Sequence, residues 1–475
     1  MITRNRDLEI NAGAVKGAIS EFTKNVLPKL EKMAEAYAGK GAIMGRTRAS
    51  GLPNNKLVHA YPRYIVTMAS GYLVGAPVKY TDDAQAGMLK ALEDVHKNSK
   101  MDSVDAELAA HASTYGKGVC ICYADEAGKP KAAALDPREA FVVYDNTVEH
   151  KPIFGVHWLE KQDASGKSVG VSVHVHTETE EMLFEGKTLT TINAVLNEVK
   201  THAFGGVPMV EFWNNSQETG DFEPVLSLIE AYDVLESDRV NDKQQFTDAV
   251  LLLTGCTLED EPEELDEDEE EQTAEKRSAA QRLLEEKTLT LPDENAKAEW
   301  LIKNGDENGA EILRNAIKSE IHKQSLVPDL TDEHFAANAS GVAMRYKLLG
   351  LEQLTKIKER WFREGLETRM RLFAAFMQVL GIGTLNVDTV QIVFTRSLPV
   401  NETEVASMVA QLSGIAPQKA LLGQLPFIQD VNEAMNELDK EREKEAKRQA
   451  EAFGGQYTDA NEPKRDEESR KRDDE

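Results

Sequence analysis

The chain has 475 residues, 41% of them hydrophobic, too many for one core and enough to build about three domains. Its 82 acidic residues outnumber 55 basic ones, and the net charge of −27 argues against a basic surface that grips nucleic acid. That charge still permits a wall past which DNA slides, because negative surface repels phosphate.

Three cysteines (Cys120, Cys122, Cys256) make no disulfide framework and point to a reducing compartment. The amino terminus lacks an apolar signal core, and no run approaches the ~20 apolar residues of a membrane helix. A soluble protein made inside a cell, with no membrane contact and no signal peptide, is expected.

Residues 11–37 predict a helix, with Val15, Ile19, Phe22, Val26, Leu30 and Met33 at three- and four-residue steps and Pro28 as the place for a kink. A loop over 39–55 carries Arg46 and Arg48. Residues 61–80 begin as a helix that Gly71 and Gly75-Ala76-Pro77 turn into an extended segment. A further helix over 101–115 ends at Gly116-Lys117-Gly118, which lacks the rest of a phosphate-binding fingerprint and reads as a helix-ending turn.

From Val119 the pattern is β, over 119–123, 132–135, 140–144, 153–158, 169–176, 182–184 and 188–191. Cys120-Ile121-Cys122 puts two thiols on one strand face without a second Cys/His pair at zinc spacing. His174-Val175-His176 does the same with two imidazoles; some metal sites use that spacing, but an exposed pair is the commoner outcome. Residues 207–215 form a strand and turn that deliver the chain to Pro224, a residue favoured at a helix start.

The helix over 225–246 has an apolar stripe in its first half (Val225, Leu228, Ile229, Tyr232, Leu235). It then turns polar nearly all round, through Ser237, Asp238, Arg239, Asn241, Asp242, Lys243, Gln244 and Gln245. Such a rod must bridge domains, pack on copies of itself, or fail to form. A second helix over 308–324 keeps a stripe (Leu313, Ile317, Ile321) beside Arg314, Lys318 and Lys323. Between the two lie strand candidates at 250–253 and 300–302, an alternating stretch at 288–291, and a run over 259–271 in which eleven of thirteen residues are acidic. Mutually repelling carboxylates of that kind make a solvated loop rather than a catalytic cluster.

Next come Val327-Pro328-Asp329-Leu330 and a loop with Asp329, Asp332, Glu333, His334, Asn338 and Ser340 but no Lys or Arg before Arg345. Such a loop carries no basic group with which to hold phosphate. A long helix to Leu380 follows, its stripe made of Leu351, Leu354, Ile357, Trp361, Leu366, Met370, Phe373, Phe376 and Leu380, with Gly350 and Gly365 as points where it can bend. A strand over 387–396 is expected to close back onto the sheet domain. Helices over 402–412, 417–422 and 426–451 and a disordered mixed-charge tail complete the chain.

Several stretches, in order and spacing over residues 60–400, resemble the portal proteins of tailed bacteriophages, of the type in long-tailed phages of Gram-positive hosts. They are 64–78, Thr114-Tyr115-Gly116-Lys117-Gly118, 135–145, 206–215, Leu228-Ile229-Glu230-Ala231-Tyr232 through Asn241-Asp242, and Val327-Pro328-Asp329-Leu330 through Asn338-Ala339-Ser340-Gly341-Val342-Ala343. The resemblance implies an α+β portal fold assembled as a ring of twelve around double-stranded DNA. The amino-terminal helices and wing would cover 1–223, stem helices 224–249 and 307–326, and a β-containing clip 250–306. The tunnel loop nearest the DNA would be 327–343, a long kinked helix and wing strand 344–400, a helical crown 401–453, and a disordered tail 454–475.

The same resemblance implies packaging and ejection of the genome at a unique capsid vertex, after assembly in the host cytoplasm. The implied partners are a terminase motor, a head-completion adaptor, and scaffold and major capsid proteins, with no cofactor and no enzymatic activity. Site residues would be those of the loop, with Arg239, Lys243, Lys318 and Lys323 on the stem. The rival readings are a metal-dependent nuclease, which needs carboxylates fixed on rigid elements, and a structural scaffold with no DNA role.

Overall fold

Asn11 starts the first helix by accepting the Ala14 N–H on its Oδ1 at 3.0 Å. The computed structural model describes residues 1–49, 52–192, 198–247, 250–254, 297–301, 307–330, 346–396, 402–423, 425, 428 and 431–454. It divides into one unit of Met1–Phe335 with Lys347–Ser397, and another of Ala336–Tyr346 with Leu398–Glu475. A short strand, β1 (Ile2–Arg4), precedes α1 (Ala12–Glu21) and α2 (Leu27–Tyr37). The irregularity expected at Pro28 is a π turn, Phe22–Val26, between these helices. Proline has no N–H to give, and its ring crowds the carbonyl four residues back, so the ladder widens there.

After α3 (Tyr61–Val74) and β2 (Lys79–Thr81) comes α4 (Ala86–Ser99), which the reading of the sequence passed over; it buries only Leu92 and Val95 on an otherwise charged rod. Next are α5 (Met101–Tyr115) and eight strands: β3 (Lys117–Ala124), β4 (Pro130–Leu135), β5 (Ala140–Asp145), β6 (Pro152–Gln162), β7 (Ser168–His176), β8 (Glu180–Gly186), β9 (Glu198–Thr201) and β10 (Met209–Trp213). One sheet has the order β1-β5-β6-β7-β8-β9, parallel only between β1 and β5; a second has the order β10-β3-β4. The strand expected at 188–191 is instead a 3-10 turn, Leu189–Thr191. There the Thr188 and Thr191 hydroxyls close a capping box, the competition with ladder bonding that threonine allows.

Gly116 sits at φ +89°, a left-handed conformation suited to glycine, and ends α5. The lysine beside it faces no phosphate: Lys117 Nζ is buried 2.7 Å from Glu211 Oε1. Cys120 and Cys122 both enter the core, as alternation on β3 requires.

The expectation of an exposed histidine pair on β7 is corrected. Register pairs His157 of β6 with His174, and the His157 ring stacks on those of His174 and His176 at 4.7 and 5.1 Å. His157 Nδ1 lies 3.2 Å from His176 Nε2, so one of these nitrogens carries the shared proton. Among the described residues no group of three His, Cys, Asp or Glu is placed to hold a metal. Burial, before any charge effect, holds His157 down at about 3 and His176 at about 4. The unfolded chain, with imidazoles near 6.5, therefore takes up protons first, and the stability these rings contribute is intact above pH 6.5 and lost as the pH falls toward 4. Urea unfolding is expected to show a loss of ~1–2 kcal/mol per ring between pH 7 and pH 5. Glu181, held at about 2 by its bond to His174, does not titrate in that window. A variant with His157→Gln and His176→Gln should have a flatter profile; an unchanged slope would remove these rings from the account.

The remaining described elements are α6 (Leu226–Thr247), the antiparallel pair β11 (Val250–Thr254) and β12 (Lys297–Leu301), α7 (Glu307–Ser325), α8 (Leu349–Val379) and β13 (Gln391–Val393). The strand expected at 387–396 is only these last three residues, because Asn386 caps a 3-10 turn, Val387–Thr389, just before it. It pairs with β2 rather than with either larger sheet. The second unit holds α9 (Glu402–Leu412), α10 (Gln418–Leu422) and α11 (Val431–Gly454). The acidic run at 259–271, the stretch 288–291, Cys256 and the tail beyond Gly454 lie outside the described residues.

Helix α8 is the spine of the main core. Its buried face runs Leu351, Thr355, Lys358, Phe362, Leu366, Arg369, Phe373 and Met377, packed with residues of α4, α5, β3 and β10. Two members of the expected stripe, Ile357 and Leu380, are each 49% exposed. Five of the nine, Leu351, Leu366, Met370, Phe373 and Phe376, are buried as expected, and two further positions of the face hold buried cations. Lys358 Nζ bonds Asp221 and the Ser113 hydroxyl, and Arg369 Nη1 lies 2.6 Å from Asp105 Oδ1. Gly365 is not a break in the helix: a Cβ built there would stand 2.6 Å from Phe212 Cδ1, so the glycine is a notch that admits that ring.

Candidate functional site

One face of the polar half of α6 is covered by its own chain, along the loop that follows α2. His59 donates its backbone N–H and Nδ1 to Asp233 Oδ1 at 2.9 and 2.8 Å. The Leu57 N–H reaches Ser237 Oγ at 2.9 Å, and Asn55 gives its backbone and side-chain N–H groups to Asn241 Oδ1 at 2.7 and 2.9 Å. Arg46 and Arg48 both pair with Asp238. Ser237 and Asn241 are fully buried by these contacts. Of the alternatives open to this half of the rod, its buried polar positions take the bridging one: their partners are in cis, some 180 residues away in sequence.

The same helix makes an antiparallel pair with α7 through ions. Arg239 bonds Glu236 at 2.9 Å and reaches Glu311 at 3.1 Å, while Arg314 joins Glu236, Glu311 and the Tyr232 hydroxyl. Lys243 lies 3.3 Å from Glu307, and Lys323 3.2 Å from Glu320. Glu236 and the nearby acids hold the Arg239 guanidinium above its usual range, and its bond to Arg314 pulls Glu311 below the carboxylate range. The expected apolar stripe on α7 is narrower than its spacing implied, with Ile321 buried but Leu313 half exposed. Each stem cation named from the sequence therefore has an acidic neighbour, and the pair offers phosphate little net attraction.

Where α7 ends, the chain turns through Leu326 and runs along Val327-Pro328-Asp329-Leu330. Lys318 Nζ lies 2.7 Å from Asp329 Oδ2. The Tyr64 hydroxyl donates to the Pro328 carbonyl at 2.7 Å, and His322 Nδ1 to that of Val327 at 2.9 Å. Tyr64, Tyr61 and His322 meet edge to face around a cleft of about 290 Å³ that Lys318 and Asp329 also line. Burial raises the Tyr64 phenol above its ordinary value, so it stays a donor at neutral pH. Of the expected loop residues, Asp329 is placed here, at the root; Asp332, Glu333, His334, Asn338 and Ser340 lie outside the described residues. Tyr64 and His322 were not singled out from the sequence, since nothing local tells a clamp from an ordinary core aromatic.

The family described as phage portal protein, SPP1 Gp6-like, matches residues 19–448. The chain belongs to that family.

Among similar proteins, the portal protein of Bacillus phage SPP1 is 24% identical over 424 residues, which cover 83% of this chain and 78% of the relative. That of Clostridium phage phiCD119 is 23% identical over 414 residues, covering 83% and 87%. Both names are those of phages of Gram-positive hosts, as the resemblance implied. A member of the portal family is a structural component of the phage capsid serving DNA packaging, and not an enzyme. The nuclease reading therefore has no support. No described helix of this portal chain is long and apolar enough to cross a membrane.

Proposed function

We propose that the chain is one subunit of a closed ring of twelve at a single capsid vertex, with a channel through which double-stranded DNA enters and later leaves. The observation that carries this reading is the α6–α7 hairpin with β11 and β12 at its end, followed by a rooted loop and α8. In this reading α6 and α7 form the stem, residues 250–306 the clip, 327–343 the tunnel loop, and 401–453 the crown. Asp329, Asp332, Glu333, His334, Asn338 and Ser340 would belong to that loop, and Arg239, Lys243, Lys318 and Lys323 to the stem.

The motor that drives the DNA is a separate terminase, because the sequence has no ATP-binding fingerprint. The head-completion adaptor, the scaffold protein and the major capsid protein are its other partners, and the ring assembles in the host cytoplasm. Electrostatics support a conduit rather than a grip, since a net charge of −27 and acid-matched stem cations leave few sites for phosphate. Because Asp233, Ser237, Asp238 and the Asn241 carbonyl on α6 already have partners in cis, subunits reach the ring prefolded.

Electron microscopy of the purified protein is expected to show closed rings of one cyclic symmetry. Deleting residues 332–338 should leave those rings intact and lower DNase-protected DNA per particle at least ~10-fold, the loss expected when a positioning contact is removed. Monomers at every concentration would overturn the ring, and full packaging by the deletion variant would take the loop out of the mechanism.

A further inference from the structure

We infer that Tyr64, Lys318, His322 and Asp329 form a latch that fixes the root of the loop following Leu330 and thereby sets its reach toward DNA; the second half of that statement rests on the function proposed above. Four successive residues after α7 are held by three side chains. Val327 is fully buried and its carbonyl accepts from His322; the Pro328 carbonyl accepts from Tyr64; Asp329 pairs with Lys318; and the Leu330 N–H donates to the Tyr64 hydroxyl at 3.3 Å. One phenol thus brackets Asp329 from both sides.

Ending a helix requires none of this. A single glycine in the left-handed conformation after α7 would do it. The chain instead places Leu326 there at φ +60°, with its side chain 43% exposed, so no core demand explains the choice. The start of α8 passes close to the same spot: a Cβ built on Gly350, in its first turn, would lie 3.2 Å from the Leu326 carbonyl oxygen. The outgoing leg is therefore fastened to α3 and α7, while α8 is tied to the core by Lys358 and Arg369. A loop that touches a moving duplex without binding it works only at a fixed reach, and the latch supplies that.

The test uses full-length protein in procapsids, with Tyr64→Phe, Asp329→Asn, and the charge exchange Lys318→Asp with Asp329→Lys. Rings and melting temperature are expected to match the parent for all three. Cleavage after Glu333 by Glu-specific protease, and after Arg345 by trypsin, should accelerate at least fivefold for the first two, with a matching fall in packaged DNA. The charge exchange should recover most of both. Cleavage at the parent rate, or a melting temperature that falls in step with packaging, would overturn the latch. Deleting 332–338 separates the two ideas: if that deletion packages normally, the DNA role falls, while the Arg345 cleavage rates still decide the latch.

Discussion

Arg369→Met is expected to remove about 3–5 kcal/mol from the stability of the main unit, because it leaves Asp105 charged, buried and alone. The guanidinium is 1% exposed, its Nη1 is 2.6 Å from Asp105 Oδ1, and its face lies 5.3 Å over the Phe212 ring. Cys120 and Tyr80 beside it carry no positive charge, and burial holds the neighbouring His96 down at about 3. The pair itself is a different matter: burying two charges is expensive, so Arg369→Met with Asp105→Leu should recover most of the loss. Urea denaturation of the three variants makes the comparison. A single variant that loses under ~1 kcal/mol would show that water or a shifted side chain reaches Asp105.

Gly365→Val is expected to have the next largest effect, about 3 kcal/mol, at the upper end of what overpacking a core brings. The added Cβ would meet Phe212 at 2.6 Å, and that ring cannot retreat: it is fully buried, 4.9 Å from the Phe362 ring and beneath Arg369. Gly71→Ala on α3 is the control. It is also a glycine in a helix, but its Cβ would meet nothing within 4 Å, so it should gain ~0.5–1 kcal/mol. The opposite signs, read by thermal or urea unfolding, distinguish a packing notch from a mere helix-weakening residue. Two losses of equal size would refute the notch.

Helix and strand identities were legible wherever an apolar period ran uninterrupted, as in α1, α5, β5 and β7. The failures have physical causes. The apolar part of the α8 face was legible, but Lys358 and Arg369 on it were not, because apolar spacing skips buried cations whose partners, Asp221 and Asp105, lie far off in the chain. Which neighbours α6 takes was left open by its spacing, because the loop carrying Asn55 and His59 gives no sign of where it will lie; its contacts with Asn241 and Asp233 span 186 and 174 residues. Of the site, Asp329 and Lys318 were named from sequence as separate features, and only the fold brings them within 2.7 Å. The order of segments carried the family resemblance well, because order survives where individual contacts do not show.

The meeting of Gly350 with Leu326 has a topological corollary. A stretch that departs and comes home through one narrow doorway can grow or shrink without disturbing the building behind it. Evolution is then free to retune that stretch to a different cargo while every other part of the subunit stays put.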